Sequence, residues 1–131
     1  MKDRNGETAL MSAVHAGSIQ SVMLLLDKGA DVHARNEYGA TALLLVASIR
    51  VDVMKLLLEK GADVNVRDEY GNTPLMMALD CADPKASVKL LLEHKADVNA
   101  KNNQGQTVLA LARSKKVTGV LETIIQAGAK E

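Results

Sequence analysis

Apolar and polar residues recur along this chain with a period of about 33 residues. A glycine, a threonine and an apolar run open each period, in the strings GETALM at Gly6, GATALL at Gly39, GNTPLM at Gly71 and GQTVLA at Gly105. A second string follows each of them: LLLDKGADVHAR, LLLEKGADVNVR, LLLEHKADVNAK and a divergent last copy, TIIQAGAKE. Because a fixed period of this length marks a repeat array, we predict four tandem units, at about 3–35, 36–67, 68–101 and 102–131.

Each unit is predicted to contain two short helices and a polar finger. A threonine after each opening glycine suits the N-cap of the first helix, because its hydroxyl can accept a bond from a free amide of the first turn; these residues are Thr8, Thr41, Thr73 and Thr107. The leucine run gives the second helix one apolar face, on which we expect four equivalent residues to be buried: Leu25, Leu57, Leu91 and Ile124. Asp83 followed by Pro84 predicts the start of a second helix in the third unit.

A glycine that ends the second helix is predicted in three of the four units. Gly29, Gly61 and Gly128 follow the leucine run or its divergent copy, and glycine adopts the left-handed conformation of a helix C-terminus without a Cβ penalty. Lys95 replaces this glycine in the third unit. A positive φ at Lys95 would cost about 1 kcal/mol.

This pattern resembles the ankyrin repeat, whose unit is a β-turn followed by two helices with a TPLH-like start. The resemblance covers nearly the whole chain and implies one all-α domain at 1–131, an ankyrin-repeat solenoid of stacked helix-turn-helix units with β-hairpin-like fingers. The histidine of TPLH is replaced in every unit, by Met11, Leu44, Met76 and Ala110. The first unit lacks the polar dressing of an end unit, so we hypothesise a fragment of a longer array; a full-length transcript starting at Met1 would contradict this.

Composition narrows the classes of function. The chain balances 16 Lys+Arg against 16 Asp+Glu, with 2% aromatic residues, whereas a generic nucleic-acid binder usually carries excess positive charge. One cysteine in 131 residues cannot form an internal disulfide, which fits a reducing compartment. The apolar runs are shorter than the roughly 20 residues of a membrane span. We therefore expect a cytoplasmic protein that binds neither nucleic acid nor membrane.

The sequence offers no arrangement typical of catalysis or of cofactor binding. The three histidines fall in three different units, and Cys81 has no histidine near it in sequence, so neither a metal site nor an activated thiol has its partners. The phosphate-binding motifs GxxxxGKS/T and GxGxxG do not occur. Asp31, Asp63 and Asp97 lie one repeat apart, so bonds to their own turn backbone explain them better than calcium binding. We expect no enzyme activity, cofactor or metal.

Exposed positions that vary between units are where a partner can be specified. In the ankyrin family these positions line the concave groove that binds proteins, so the resemblance implies a binding surface at the finger tips and first-helix ends. The candidate residues are Arg4, Asn5, Glu7, His15, Glu37, Tyr38, Ser48, Glu69, Tyr70, Asn72, Asp80, Cys81, Gln104, Gln106 and Lys115. Tyr38 and Tyr70 occupy one repeat position in adjacent units, which predicts that they lie side by side. Either they form a binding hot spot or they only cover the turn below them.

We predict a monomeric, non-catalytic module that binds an unidentified protein partner. The alternatives are an accessory or regulatory ankyrin domain of a larger enzyme or signalling protein, a structural spacer and, ranked last, a small-molecule or nucleotide binder. Charge is uneven despite the zero net value: the third unit has four Lys and six acidic residues, whereas the fourth has four Lys+Arg and two acidic residues. A partner can use this asymmetry.

Overall fold

The structure, a computed structural model, describes residues 2–4 and 6–130. These residues form eight α-helices: α1 (Ala9–Ala16), α2 (Ile19–Asp27), α3 (Ala42–Ala47), α4 (Val51–Glu59), α5 (Pro74–Met77), α6 (Pro84–Glu93), α7 (Val108–Ser114) and α8 (Leu121–Gln126). Short 3-10 helices precede α6 and α8, at Ala78–Asp80 and Thr118–Val120. Within the described residues the single β feature is an isolated antiparallel bridge between Lys2 and Thr8. The predicted all-α class is confirmed.

The helices stack in pairs along the chain. Helix α1 packs against α2 and α3, α3 against α4 and α5, and α5 against α7. The second helices form a parallel layer, in which α4 contacts both α2 and α6, and α6 contacts α8. Each of the four expected units thus holds one helix pair, and each pair packs against the next in sequence, as in a solenoid.

The predicted caps begin the helices. All four threonines are N-caps of the first helices, and the hydroxyls of Thr8, Thr73 and Thr107 accept a bond from the amide three residues on, at 3.2 to 3.4 Å. The Thr41 hydroxyl is buried without a partner among the described residues. Asp83 caps α6 through the Ala86 amide at 3.2 Å, with Pro84 in the first turn.

The second helices end in one shared arrangement of backbone bonds. After α2, the Gly29 amide donates to the Leu26 carbonyl and the Ala30 amide to the Leu25 carbonyl, both at 3.0 Å. These two bonds define a Schellman motif, which needs positive φ at the residue after the cap. The third unit keeps both bonds with Lys95 at φ 67°. The predicted left-handed lysine is therefore confirmed, at a cost of about 1 kcal/mol.

The core runs through the stack as one apolar layer between the two rows of helices. Leu57, Leu91 and Ile124 are all fully buried, as predicted. Leu25 is only partly buried, so the expectation of full burial is wrong for this residue. Ile124 belongs to the fourth unit and is buried although the described residues form no unit after it, so this repeat position faces the preceding unit. The described residues form no unit before the first one, and Leu25 is therefore left partly exposed.

Candidate functional site

Asp and Asn side chains fold each finger onto itself. The Asn36 Oδ1 accepts from the amides of Tyr38 and Ala40, both at 3.0 Å. At the bases of the fingers, Asp31, Asp63 and Asp97 each accept from the amide two residues on, at 2.8 to 2.9 Å. The predicted bonds to the turn backbone are therefore confirmed, and the acidic side chains at the finger bases stabilise the turns.

Adjacent fingers are joined at their tips. The Glu69 amide donates to the Tyr38 carbonyl at 2.9 Å, and the Asn103 amide donates to the Tyr70 carbonyl at 3.0 Å. The Asn103 side-chain amide adds a bond to the Glu69 carbonyl at 2.8 Å. Because these bonds tie the second, third and fourth fingers together, the side chains at the tips stand on a fixed backbone.

This close approach of the fingers requires glycine. Gly39 and Gly71 have φ values of 74° and 76°, in the left-handed region that L side chains disfavour. A Cβ on Gly71 would lie 2.8 Å from the Asn103 amide nitrogen, and a Cβ on Gly39 would lie 3.2 Å from the Glu69 nitrogen. The recurrent glycine therefore sets both the turn and the spacing between fingers.

Two tyrosines extend from neighbouring tips. Tyr38 and Tyr70 are 51% and 60% exposed. The pKa of Tyr38 is raised by a hydrogen bond to Glu37 and by the Glu37 charge, and Glu69 and Glu7 add to the rise. The pKa of Tyr70 is raised in the same way by Glu69, and Tyr38 itself contributes. The bond from the Glu69 amide to the Tyr38 carbonyl joins the two tips that carry these tyrosines. The side-by-side arrangement of the two rings stays a prediction.

We call Glu7, Glu37, Tyr38, Glu69 and Tyr70 the tip patch. Glu7 lies 3.3 Å from the His15 imidazole. Within residues 2–4 and 6–130, neither Glu37 nor Glu69 has a Lys or Arg partner at ion-pair distance. The patch thus combines exposed aromatic surface with carboxylates that remain open to a cation.

A cleft separates the first helices of the third and fourth units. It encloses about 210 Å³ and is lined by Asn72, Met76, Met77, Asp80, Asn102, Gln104, Gln106, Leu111 and Lys115. Met77 and Leu111 are half-buried and supply apolar surface, whereas an ion pair at 3.0 Å joins Asp80 to Lys115. We call this feature the unit 3–4 cleft.

Amide side chains link the cleft to the tip patch. The Asn102 side-chain amide donates to Asn72 Oδ1 at 3.3 Å and to Gln106 Oε1 at 3.1 Å. A second cavity of about 200 Å³ shares Asn72, Asn102 and Gln104 with the cleft and is also lined by Tyr70. The two cavities are therefore neighbours, one beside the exposed Tyr70 and the other beside the Asp80–Lys115 pair.

The remaining candidate residues are scattered around these two features. Arg4 is exposed at the first tip, and Ser48 is half-buried at the end of α3. Cys81 is buried, with 7% exposure, so it presents little surface to a partner. Asn5 lies outside the described residues.

Sequence reasoning missed the apolar surface of the cleft. Leu45, Met77 and Leu111 lie six residues after the opening glycine of their units and are all half-buried. The first unit has Ser12 at this position, and it is exposed. The sequence did indicate this surface: three units have an apolar residue at the same position, just after the recurrent strings that mark the core.

In the part of the chain that the structure describes, no group of three or more His, Cys, Asp or Glu side chains could hold a metal ion. No helix among the described residues is long and apolar enough to cross a membrane.

Comparison with known sequences gives two matches. A family model described as ankyrin repeats, three copies, matches residues 1–68 and 52–130. A 46-residue stretch, 35% of this chain, is 48% identical to a mitochondrial disaggregase from Bos taurus. That stretch covers 7% of the length of the disaggregase, so the similarity concerns a small part of that protein.

Proposed function

Because the chain belongs to the ankyrin repeat family, we propose that it is a module that binds another protein through the tip patch and the unit 3–4 cleft. Ankyrin repeats generally mediate protein–protein interaction and are typically non-catalytic. The observation that carries the proposal is the exposure of Tyr38 and Tyr70, 51% and 60%, on tips joined by backbone bonds. Tyrosine supplies large amphipathic contact area at low entropic cost, and a fixed backbone reduces the cost of ordering on binding.

The cleft supports a protein partner over a small molecule. The cleft measures about 210 Å³ and the neighbouring cavity beside Tyr70 about 200 Å³, and each is smaller than the roughly 300 to 1,000 Å³ of usual small-molecule pockets. A single apolar side chain can contact Met77 and Leu111, while Gln104 and Gln106 can bond to the backbone of a partner. We therefore assign the cleft to one anchoring side chain of a bound protein.

The double variant Tyr38→Ala with Tyr70→Ala tests the proposal. We expect partner binding to weaken tenfold or more, corresponding to about 2 kcal/mol for a hot-spot pair, with a nearly unchanged melting curve because both side chains are exposed. The measurement is a quantitative proteomic pull-down with the intact chain, followed by affinity determination on the recovered partner. Ile125→Ala, which removes another exposed apolar side chain (45% exposed) from α8, is the control. Equal recovery by the wild type and the tyrosine variant would rule this surface out.

We also propose that the module acts as a cytoplasmic monomer. The lone cysteine, Cys81, is buried and free, which suits a reducing compartment, and all four helix pairs contribute to one apolar core within a single chain. Sedimentation of the purified chain and fractionation of cells test both points. A dimer at micromolar concentration, or recovery in an oxidising compartment, would contradict them.

A second candidate function is that of an accessory or regulatory ankyrin domain within a larger protein. It is favoured by the match to a short part of a disaggregase and by exposed apolar residues in the first unit, where Met23 and Leu24 are 47% and 56% exposed. Sequencing the complete transcript tests it. A catalytic or signalling domain in the same reading frame is the expected result, and a frame encoding these 131 residues alone would overturn it.

A further inference from the structure

The tip patch has one sign of charge beside aromatic surface. Glu37 and Glu69 flank Tyr38 and Tyr70, and neither carboxylate meets a Lys or Arg in the described part of the chain. Glu7 adds a third carboxylate near Tyr38, beside His15. Arg4 stands at the first tip, where the second and third units have Glu37 and Glu69. Two arginines also lie near these tips: Arg35 donates to the Gly39 and Arg67 carbonyls at 2.9 and 2.7 Å, and a Cβ on Gly71 would lie 2.8 Å from a guanidinium nitrogen of Arg67. The carboxylates beside the two phenols nevertheless raise the pKa of both, so the charge that acts on the rings themselves is negative.

The neighbouring cleft is electrically balanced. Asp80 and Lys115 pair at 3.0 Å on its rim, and the amides of Asn72, Asn102 and Gln106 are joined to one another. Met76, Met77 and Leu111 supply its apolar lining. The surface as a whole thus has a negative aromatic end and a neutral end that accepts an apolar group.

Resting on the protein-binding function above, we infer that the partner docks a basic segment here, with Arg or Lys side chains over Tyr38 and Tyr70 and an apolar side chain in the unit 3–4 cleft. A cation over a tyrosine face gains attraction from the ring, and Arg forms strong, directional bonds with carboxylates. An acidic segment would meet Glu7, Glu37 and Glu69 with like charge, which discriminates against it. Charge complementarity therefore selects the basic occupant.

Selection of peptides from a random-peptide phage library against the full chain tests this inference. We expect the selected peptides to be enriched in Arg and Lys with at least one large apolar residue. The affinity of synthetic copies, measured by fluorescence anisotropy, should fall about tenfold in Glu37→Gln with Glu69→Gln, and should fall as salt is raised, because exposed charge pairs are screened. Glutamine keeps the shape of both side chains, and thermal melts verify folding.

A matched variant separates local from general electrostatics. Glu59→Gln with Glu93→Gln removes the same charge from two exposed residues that end α4 and α6. We expect this control to bind the basic peptides within twofold of the wild type. An equal loss in both double variants would show that net charge alone acts, and would overturn the assignment to the tip patch.

The remaining outcomes distinguish the inference from the function on which it rests. Selected peptides that are neutral or acidic, yet lose affinity in Tyr38→Ala with Tyr70→Ala, would overturn the basic occupant and leave the protein-binding surface standing. Peptides that are indifferent to both the tyrosine and the glutamate variants would overturn both proposals. A library that yields no peptide above the background of control phage would also overturn the basic occupant.

Discussion

The same repeat position has different surroundings inside the stack and at its ends. Gly71 and Gly105 share a φ of 76°, but a Cβ on Gly71 would lie 2.6 Å from Asn103 Oδ1, whereas a Cβ on Gly105 would meet nothing within 4 Å. Leu57 is fully buried, whereas its equivalent Leu25 is partly exposed. Local sequence thus sets the conformation of a unit, and the neighbouring unit sets its packing, as expected where each repeat contacts only its neighbours.

The largest effect is expected from truncating Leu57, the buried leucine by which the second unit faces the first. Leu57→Ala should lower the free energy of unfolding by about 2 to 5 kcal/mol, because it leaves a cavity in a filled core. Leu25→Ala, at the equivalent position of the first unit, should cost about 1 to 2 kcal/mol, since less apolar area is lost from burial. Urea unfolding followed by circular dichroism measures both. A cost below about 1 kcal/mol for Leu57→Ala would contradict the stacking described here.

The finger glycines test the same contrast in the backbone. Gly71→Ala should cost about 2 to 4 kcal/mol, because strain at positive φ adds to a clash with Asn103. Gly105→Ala should cost about 1 kcal/mol, since only the strain remains. Thermal and urea unfolding of the two variants provide the comparison. Equal costs would mean that the contact between the third and fourth fingers contributes nothing to stability.

Ser87 is a core residue at which a substitution should increase the stability of the protein. Ser87 is fully buried, and its hydroxyl has no partner among the described residues. Val53 and Val120 are buried at the equivalent position of the second and fourth units. Ser87→Val should raise the free energy of unfolding by about 1 kcal/mol, because it removes an unsatisfied polar group and adds apolar contact.

The first unit again provides the control for this substitution. Ser21, the equivalent residue, is exposed and its hydroxyl accepts from Ser18 at 2.9 Å. Ser21→Val should change stability by no more than about 0.5 kcal/mol, as is usual for surface substitutions. A loss of stability in Ser87→Val would show that the third unit has no room for the valine found in its neighbours.

Features that depend on nearby residues were predictable from the sequence. The caps at Thr8 and Asp83 and the left-handed Lys95 follow from residue types within four positions, because capping and turn bonds are local. The period of 33 residues likewise indicated the helix pairs and the position shared by Tyr38 and Tyr70.

Features that depend on a neighbouring unit were not predictable. The bond from the Glu69 amide to the Tyr38 carbonyl, the cleft beside Met77 and the burial of Cys81 arise from how units settle against one another. The partial exposure of Leu25 has the same origin. The recurrent strings do not predict these contacts, since packing depends on three-dimensional fit between residues far apart in the chain.

The smallest expected effect concerns a side-chain bond that links one finger base to the next. Asn65 Oδ1 accepts from the Asp97 amide at 2.8 Å, and Asn99 Oδ1 accepts from the Lys130 amide at 2.9 Å. The first unit has His33 at this position, where it is exposed. His33→Asn would offer the Asp63 amide the acceptor that the Asp97 amide has, so we expect a gain of about 0.5 to 1 kcal/mol, the net value of one hydrogen bond.

The reverse substitution makes this last comparison decisive. Asn65→His removes the amide oxygen that accepts from the Asp97 amide between the second and third units and should cost about as much as His33→Asn gains, about 0.5 to 1 kcal/mol. Urea unfolding measures the pair, and hydrogen exchange at the Asp63 amide reports whether the new bond forms. A higher free energy of unfolding without added protection of that amide would mean that the substitution acts on the unfolded chain. An unchanged free energy of unfolding would mean that the contact between the first and second units differs from that between the second and third in more than one side chain. His33 lies at the contact of the second unit with the first, and Asn65 at its contact with the third. The two substitutions together therefore separate the stability that a unit has from its own sequence from the stability that it gains from the unit beside it.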